Sequence, residues 1–224
     1  MKKGFEYLKI KLRDILKWVG FLVIYQISLG LILLMPSGLS KIAATEWLFV
    51  GIVVTAFVLS FTIWRYRKQL QAHNPFHFAR HKFNGKAAGQ LLLLIGALVL
   101  IQGLWQVLLN AKVISEPNNQ KLVEASIKKL FLVNYLYAGI IAPIFEEVIF
   151  RGIFFNYFFK LTNGRLSKTI GVLVCGGIFG YMHTTEFDLN WIFYSAIGWV
   201  LSITYLHFKD IRYNIAIHML NNLI

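Results

Sequence analysis

AAGQLLLLIGALVLIQGLWQVLL, residues 87–109, contains no charged side chain. As a helix rising 1.5 Å per residue it covers about 34 Å, enough to cross the roughly 30 Å hydrocarbon layer of a bilayer. The same ruler finds apolar runs on both sides of it. Upstream they are 18–35 and 47–64; downstream they are a longer tract at 130–159, then 169–183, 189–206 and 213–224. Over the whole chain 57% of residues are hydrophobic and 15% charged, where a soluble domain has about 25% charged residues. The fold expected is all-α, a polytopic transmembrane helix bundle of about seven membrane segments. Residues 1–129 supply an N-terminal arm and three transmembrane helices, and residues 130–224 a helical core.

Charge in the connections orients this bundle. Lys and Arg gather in cytoplasmic loops, and here they gather in alternate connections. The arm carries Lys2, Lys3, Lys9, Lys11, Arg13 and Lys17, and residues 65–86 carry six more basic residues with no acid. Lys160, Arg165 and Lys168 mark the next such connection, and Lys209 and Arg212 the last. The other connections hold Lys41, then Lys112, Lys121, Lys128 and Lys129 diluted by Glu116 and Glu124, then Glu186 and Asp188. The N-terminus is therefore read as cytoplasmic and the C-terminus as outside. The net charge of +13 reflects this bias, so no nucleic-acid partner is expected.

The arm spaces Phe5, Leu8, Ile10, Leu12, Ile15 and Leu16 among its charges, a pattern open to two readings: an amphipathic segment on the inner surface or a solvated arm. The first span is read as a retained signal-anchor helix, since no small-residue cleavage site follows it. Cys175 is the only cysteine, which excludes an intrachain disulfide and gives a thiol nucleophile no support. His73, His77 and His81 are four apart, but Asn74, Pro75 and Phe76 oppose a regular helix and the neighbours are basic. They read as a membrane-surface loop rather than a metal site.

Three polar islands interrupt the apolar C-terminal half. The first lies in IFEEVIFRG, residues 144–152, where Glu146, Glu147 and Arg151 fall within six residues. A charge at a bilayer centre costs about 2.5 to 3.5 kcal/mol on insertion scales, so such a cluster calls for a use. On a helix Glu147 and Arg151 share a face in the favourable order for an ion pair, which marks them as structural. Glu146 is rotated about 100° away and is the candidate general base. Pro143 is expected to kink the helix by removing the bond to the Gly139 carbonyl, opening a polar cavity. The second island is His183, four residues after Phe179, placed to share a water with Glu146. The third is His218 with Asn222, one turn apart, two donors suited to an oxyanion.

These islands resemble the motifs of the CAAX protease and bacteriocin-processing (Abi) family of intramembrane proteases, which includes the type II CAAX prenyl endopeptidases. Its pattern of two glutamates, three residues and arginine is matched by Glu146, Glu147 and Arg151. Phenylalanine, three residues and histidine is matched by Phe179 and His183. Histidine, three residues and asparagine is matched by His218 and Asn222. The resemblance covers 130–222 and implies an intramembrane endopeptidase in which Glu146 and His183 activate water while His218 and Asn222 stabilise the oxyanion. The substrate implied is a membrane-associated or lipidated peptide or protein, and the setting a bacterial cell membrane.

Two other classes compete: a non-catalytic bacteriocin self-immunity or scaffold protein, and a proton-coupled transporter using Glu146 and the histidines as a relay. Glu146, His183 and His218 are also a conceivable zinc set, yet the paired histidines on one helix that mark common zinc proteases are lacking, so no cofactor is expected. Depth poses one difficulty. Glu146 and His183 lie 14 and 15 residues from Lys160 and Lys168, about 21 to 23 Å, whereas His218 lies only six residues from Arg212, about 9 Å. Either the last connection dips into the bundle or the helices tilt strongly.

Overall fold

The computed structural model describes residues 2–74, 77–159 and 164–223. Pro75, Phe76, Lys160 and Ile224, used above, lie outside them. The fold is all-helical, with no strand among the described residues. Helix α1 (Lys2–Leu33) absorbs the basic arm, so arm and first span are one 32-residue rod. Its length of about 48 Å exceeds the hydrocarbon thickness. Helices α2 (Lys41–Ala72) and α3 (Gly85–Asn110) follow, each opened by a side-chain cap. Ser40 accepts from the Ala43 N–H (3.2 Å) and Asn84 from the Ala87 N–H (2.9 Å). A short helix, α4 (Asn118–Lys129), fills the connection after α3. It is too short and too polar for the span ruler to detect.

One helical course then runs from Phe131 to Phe158 in five pieces. These are α5 (Phe131–Leu136), a π-helical stretch Tyr137–Ile141, α6 (Ala142–Glu146), a second π-helical stretch Glu147–Ile153, and α7 (Phe154–Phe158). Around Pro143 the winding is widened on both sides of α6. The Ala142 N–H reaches back five residues to the Tyr137 carbonyl, so the register has already shifted where proline supplies no donor. The remaining elements are α8 (Arg165–Thr184), α9 (Leu189–Phe208) and α10 (Ile211–Leu223). Seven membrane segments are thus accounted for as helical. Residues 8–33, α2, α3 and α9 are each long and apolar enough to cross a bilayer unaided.

Packing explains the rest. Helices α8 and α9 form a hairpin whose close approach depends on small residues: a Cβ at Gly198 would lie 2.8 Å from the Gly176 backbone. Helix α1 docks on the broken course through Trp18, whose indole donates to the Ile149 carbonyl (3.1 Å) and whose ring meets Phe150, Phe154 and Phe158. Outward-facing side chains such as Phe57, Leu93 and Leu100 are about three-quarters exposed, as lipid-facing positions require. The segment before α3 folds over the α9–α10 turn: Phe78 stacks on Tyr205 (4.1 Å), the Ala79 N–H donates to the Lys209 carbonyl (2.9 Å), and the His81 N–H to Asp210 (2.9 Å).

Candidate active site

The two adjacent glutamates part company at the α6 boundary. Glu147 is fully buried and accepts three hydrogen bonds, from Arg151 Nη1 (2.8 Å) and His218 Nδ1 (2.7 Å) on Oε1 and from Asn214 Nδ2 (2.8 Å) on Oε2. Arg151, also fully buried, donates to the Gly198 carbonyl (3.1 Å) and lies over the Phe179 ring at 4.6 Å. The ion pair expected from spacing is thus present, and its partners tie the broken course to α8, α9 and α10. Phe179 belongs to the same frame, edge-on to His218 and against His183.

Glu146 turns the other way. Its Oε1 accepts from the Tyr25 hydroxyl at 2.6 Å. Its Oε2 is buried and has no hydrogen-bond partner among the described residues. His218 Nε2 lies 3.6 Å and His183 Nε2 3.9 Å from that oxygen. Each imidazole is oriented from behind: Nδ1 of His183 faces the Phe179 carbonyl (2.7 Å), and Nδ1 of His218 faces the Glu147 carboxylate. Both partners only accept, so each Nδ1 carries a proton and each Nε2 is aimed at Glu146. Tyr194 stacks on His183 and closes its far side.

The third motif does not close as a pair. One amide N–H of Asn222 is taken by the Ala138 carbonyl (3.1 Å), which fixes the end of α10 to the broken course. Asn222 nonetheless lines the same cavity as Glu146, His183 and His218. That cavity encloses about 690 Å³ and runs from the Glu146 carboxylate towards Gln102 and Gln106 of α3 and Gln120 and Glu124 of α4. It therefore reaches the end of the bundle opposite the basic connections. Among the described residues no group of three or more His, Cys, Asp or Glu side chains is disposed to hold a metal ion.

Two positions that hydrogen-bond the glutamates escaped the reading of the sequence. Asn214 had a signal, being a polar residue one turn before His218 on an otherwise apolar helix. Tyr25 had none, since it sits in generic membrane sequence far from the motifs.

Comparison with known proteins converges on the same region. Residues 128–224 match the family model described as Type II CAAX prenyl endopeptidase Rce1-like. Over 109 residues, 47% of its length, the chain is 30% identical to the membrane-embedded CAAX protease MroQ of Staphylococcus aureus (strain USA300), and it spans 42% of that relative. No solved structure gives a significant match.

Proposed function

We propose that this integral membrane protein, whose residues 128–224 match the Rce1-like CAAX endopeptidase model, is a CAAX-type endopeptidase working inside the bilayer of a bacterial cell membrane on a membrane-associated or lipidated peptide. The observation that carries the reading is the free Oε2 of Glu146, buried and faced by two oriented imidazoles across gaps of 3.6 and 3.9 Å. A water in that gap donates one hydrogen to Oε2 and the other to His183 Nε2. Glu146 takes the first proton as the water oxygen attacks the peptide carbonyl carbon, then hands it to the leaving amine as the C–N bond breaks. The water's other hydrogen stays on the attacking oxygen, so the products are a carboxylic acid and an amine, which exchange that proton to leave a carboxylate and an ammonium. His218 and the second N–H of Asn222 serve the oxyanion. To donate to the oxyanion His218 must act as the imidazolium, since its Nδ1 proton is already directed at Glu147 and Nε2 faces Glu146.

The reaction is proposed to proceed without a metal. The cavity's extension to α4 supports substrate entry from the outer end of the bundle, with the N-terminus cytoplasmic.

The test compares membrane proteomes of cells carrying wild type or Glu146→Gln, seeking new peptide termini present only with wild type. A quenched peptide spanning the bond so identified is then offered to purified protein. Cleavage by wild type with loss in Glu146→Gln is the expected result, and equal cleavage by both refutes the role of Glu146.

A further inference from the structure

We propose that Tyr25 is a positioning residue for Glu146, supplied by the N-terminal half of the chain, so that the hydrolytic site is incomplete without α1. The inference rests on the reading of Glu146 as the general base. A carboxylate has two equivalent oxygens and rotates about its last bond, so a base that must present one lone pair to one water needs its other oxygen held. Tyr25 holds it: the phenol donates to Oε1 at 2.6 Å while Oε2 stays free towards the histidines. No other described group donates a hydrogen bond to either oxygen. The phenol is itself rigid. Tyr25 is 3% exposed, and its ring lies 5.0 Å from that of Phe145, the residue before the base.

The register of α1 is set two turns earlier, where Trp18 is bonded to the Ile149 carbonyl. It is set again one turn later, where Ser28 meets Thr55 of α2 (3.1 Å) and Tyr137 of the broken course (3.2 Å). Trp18, Tyr25 and Ser28 lie on one face of the helix at spacings of seven and three. Geometry therefore fixes the phenol from both sides. The match to the family model begins at residue 128, so this contact ties the shared core to a helix outside it.

The test uses the full chain in detergent, the quenched peptide described above, and four variants: Tyr25→Phe, Tyr137→Phe, Glu146→Asp and Glu146→Gln. Tyr25→Phe keeps the ring and removes the donor to a charged acceptor. Its kcat is expected to fall about 10- to 100-fold, with KM within about twofold and a melting temperature near wild type. Tyr137→Phe also removes a buried hydroxyl, but one bonded to Ser28 rather than to the carboxylate, so its loss of kcat should be smaller than that of Tyr25→Phe. In Glu146→Asp the carboxylate is drawn back from the phenol, so adding Tyr25→Phe should cost less there than in wild type.

Turnover of Tyr25→Phe within about threefold of wild type, with Glu146→Gln inactive, overturns the role of Tyr25 and leaves that of Glu146 standing. An effect confined to KM, or equal losses in the two tyrosine variants accompanied by lower melting temperatures, overturns it as well. Active Glu146→Gln removes the base and the positioning role together.

Discussion

Replacing Glu147 by glutamine changes one oxygen to an amide and leaves the volume intact, yet the structure assigns it a large penalty. The side chain is fully buried and accepts from Arg151, His218 and Asn214. Glutamine offers one acceptor oxygen where three donors converge, and its amide hydrogens face other donors. Arg151, fully buried, is left charged with only the Gly198 carbonyl and the face of Phe179. Breaking one side of a buried pair costs about 3 to 5 kcal/mol. At about 2 to 4 °C per kcal/mol for a chain of this size, the melting temperature should drop by about 6 to 20 °C. The sole cysteine, Cys175, is buried beneath the same cluster, its thiol donating to the Phe150 carbonyl. A thiol-reactive dye in a detergent melt therefore reports the opening of this core. Removing Arg151 as well, in Glu147→Gln/Arg151→Met, should recover part of the loss because no unpaired charge then remains. A single variant that melts within about 2 °C of wild type refutes the claim that this pair organises the bundle.

In a Cys175→Ala background, a cysteine at Ala72 should be labelled only from the cytoplasm and one at Asn118 only from outside; reversed labelling inverts the topology. His218→Ala should lower kcat about 100- to 1000-fold with little change in substrate affinity, and Asn222→Ala should lower it less, because one of its N–H groups is held by Ala138. Elemental analysis of active protein should find no stoichiometric zinc, and zinc-specific recovery after chelation would make His218 a ligand. At Asp210 burial pushes the carboxyl up, but hydrogen bonds from Arg212 and the His81 and Arg212 backbone outweigh it and hold the carboxyl below the usual range. The stability it contributes should be complete above about pH 4 and lost as pH falls through the lowered folded value. The melting-temperature gap to Asp210→Asn should be constant above about pH 4 and narrow below it; a constant gap throughout would contradict this.

The membrane spans were legible because hydropathy acts over whole helices, and no packing detail can reverse a 23-residue uncharged run such as 87–109. Glu147 and Arg151 were legible because four-residue spacing is a local property of helices. The site's second layer was not. Tyr25 reaches Glu146 across 121 residues of sequence, and one tyrosine among apolar neighbours has the same local pattern whether it faces lipid or a carboxylate. Pro143 shows the opposite limit, because a missing N–H dictates that a bond is lost but not whether the helix bends or widens.

The sequence placed three charges where hydrocarbon opposes them, and the structure shows why the cost is tolerable. Each charge on its own would be an uncompensated ion, but Glu147, Arg151 and His218 share one hydrogen-bonded cluster whose members come from two separate segments. The Glu147–Arg151 contact is local to one helical course, but His218 and Asn214 join it only when α10 docks there. Docking also brings His218 Nε2 to Glu146 and aligns the imidazole from behind. The interactions that neutralise the buried charges are therefore the same ones that assemble the proposed reacting groups. Weakening the structural pair should in consequence disable chemistry before it unfolds the bundle: Glu147→Gln held well below its melting temperature should already have lost most of its turnover, because His218 has lost its orienting acceptor. Full activity of folded Glu147→Gln would show that His218 is positioned by packing alone.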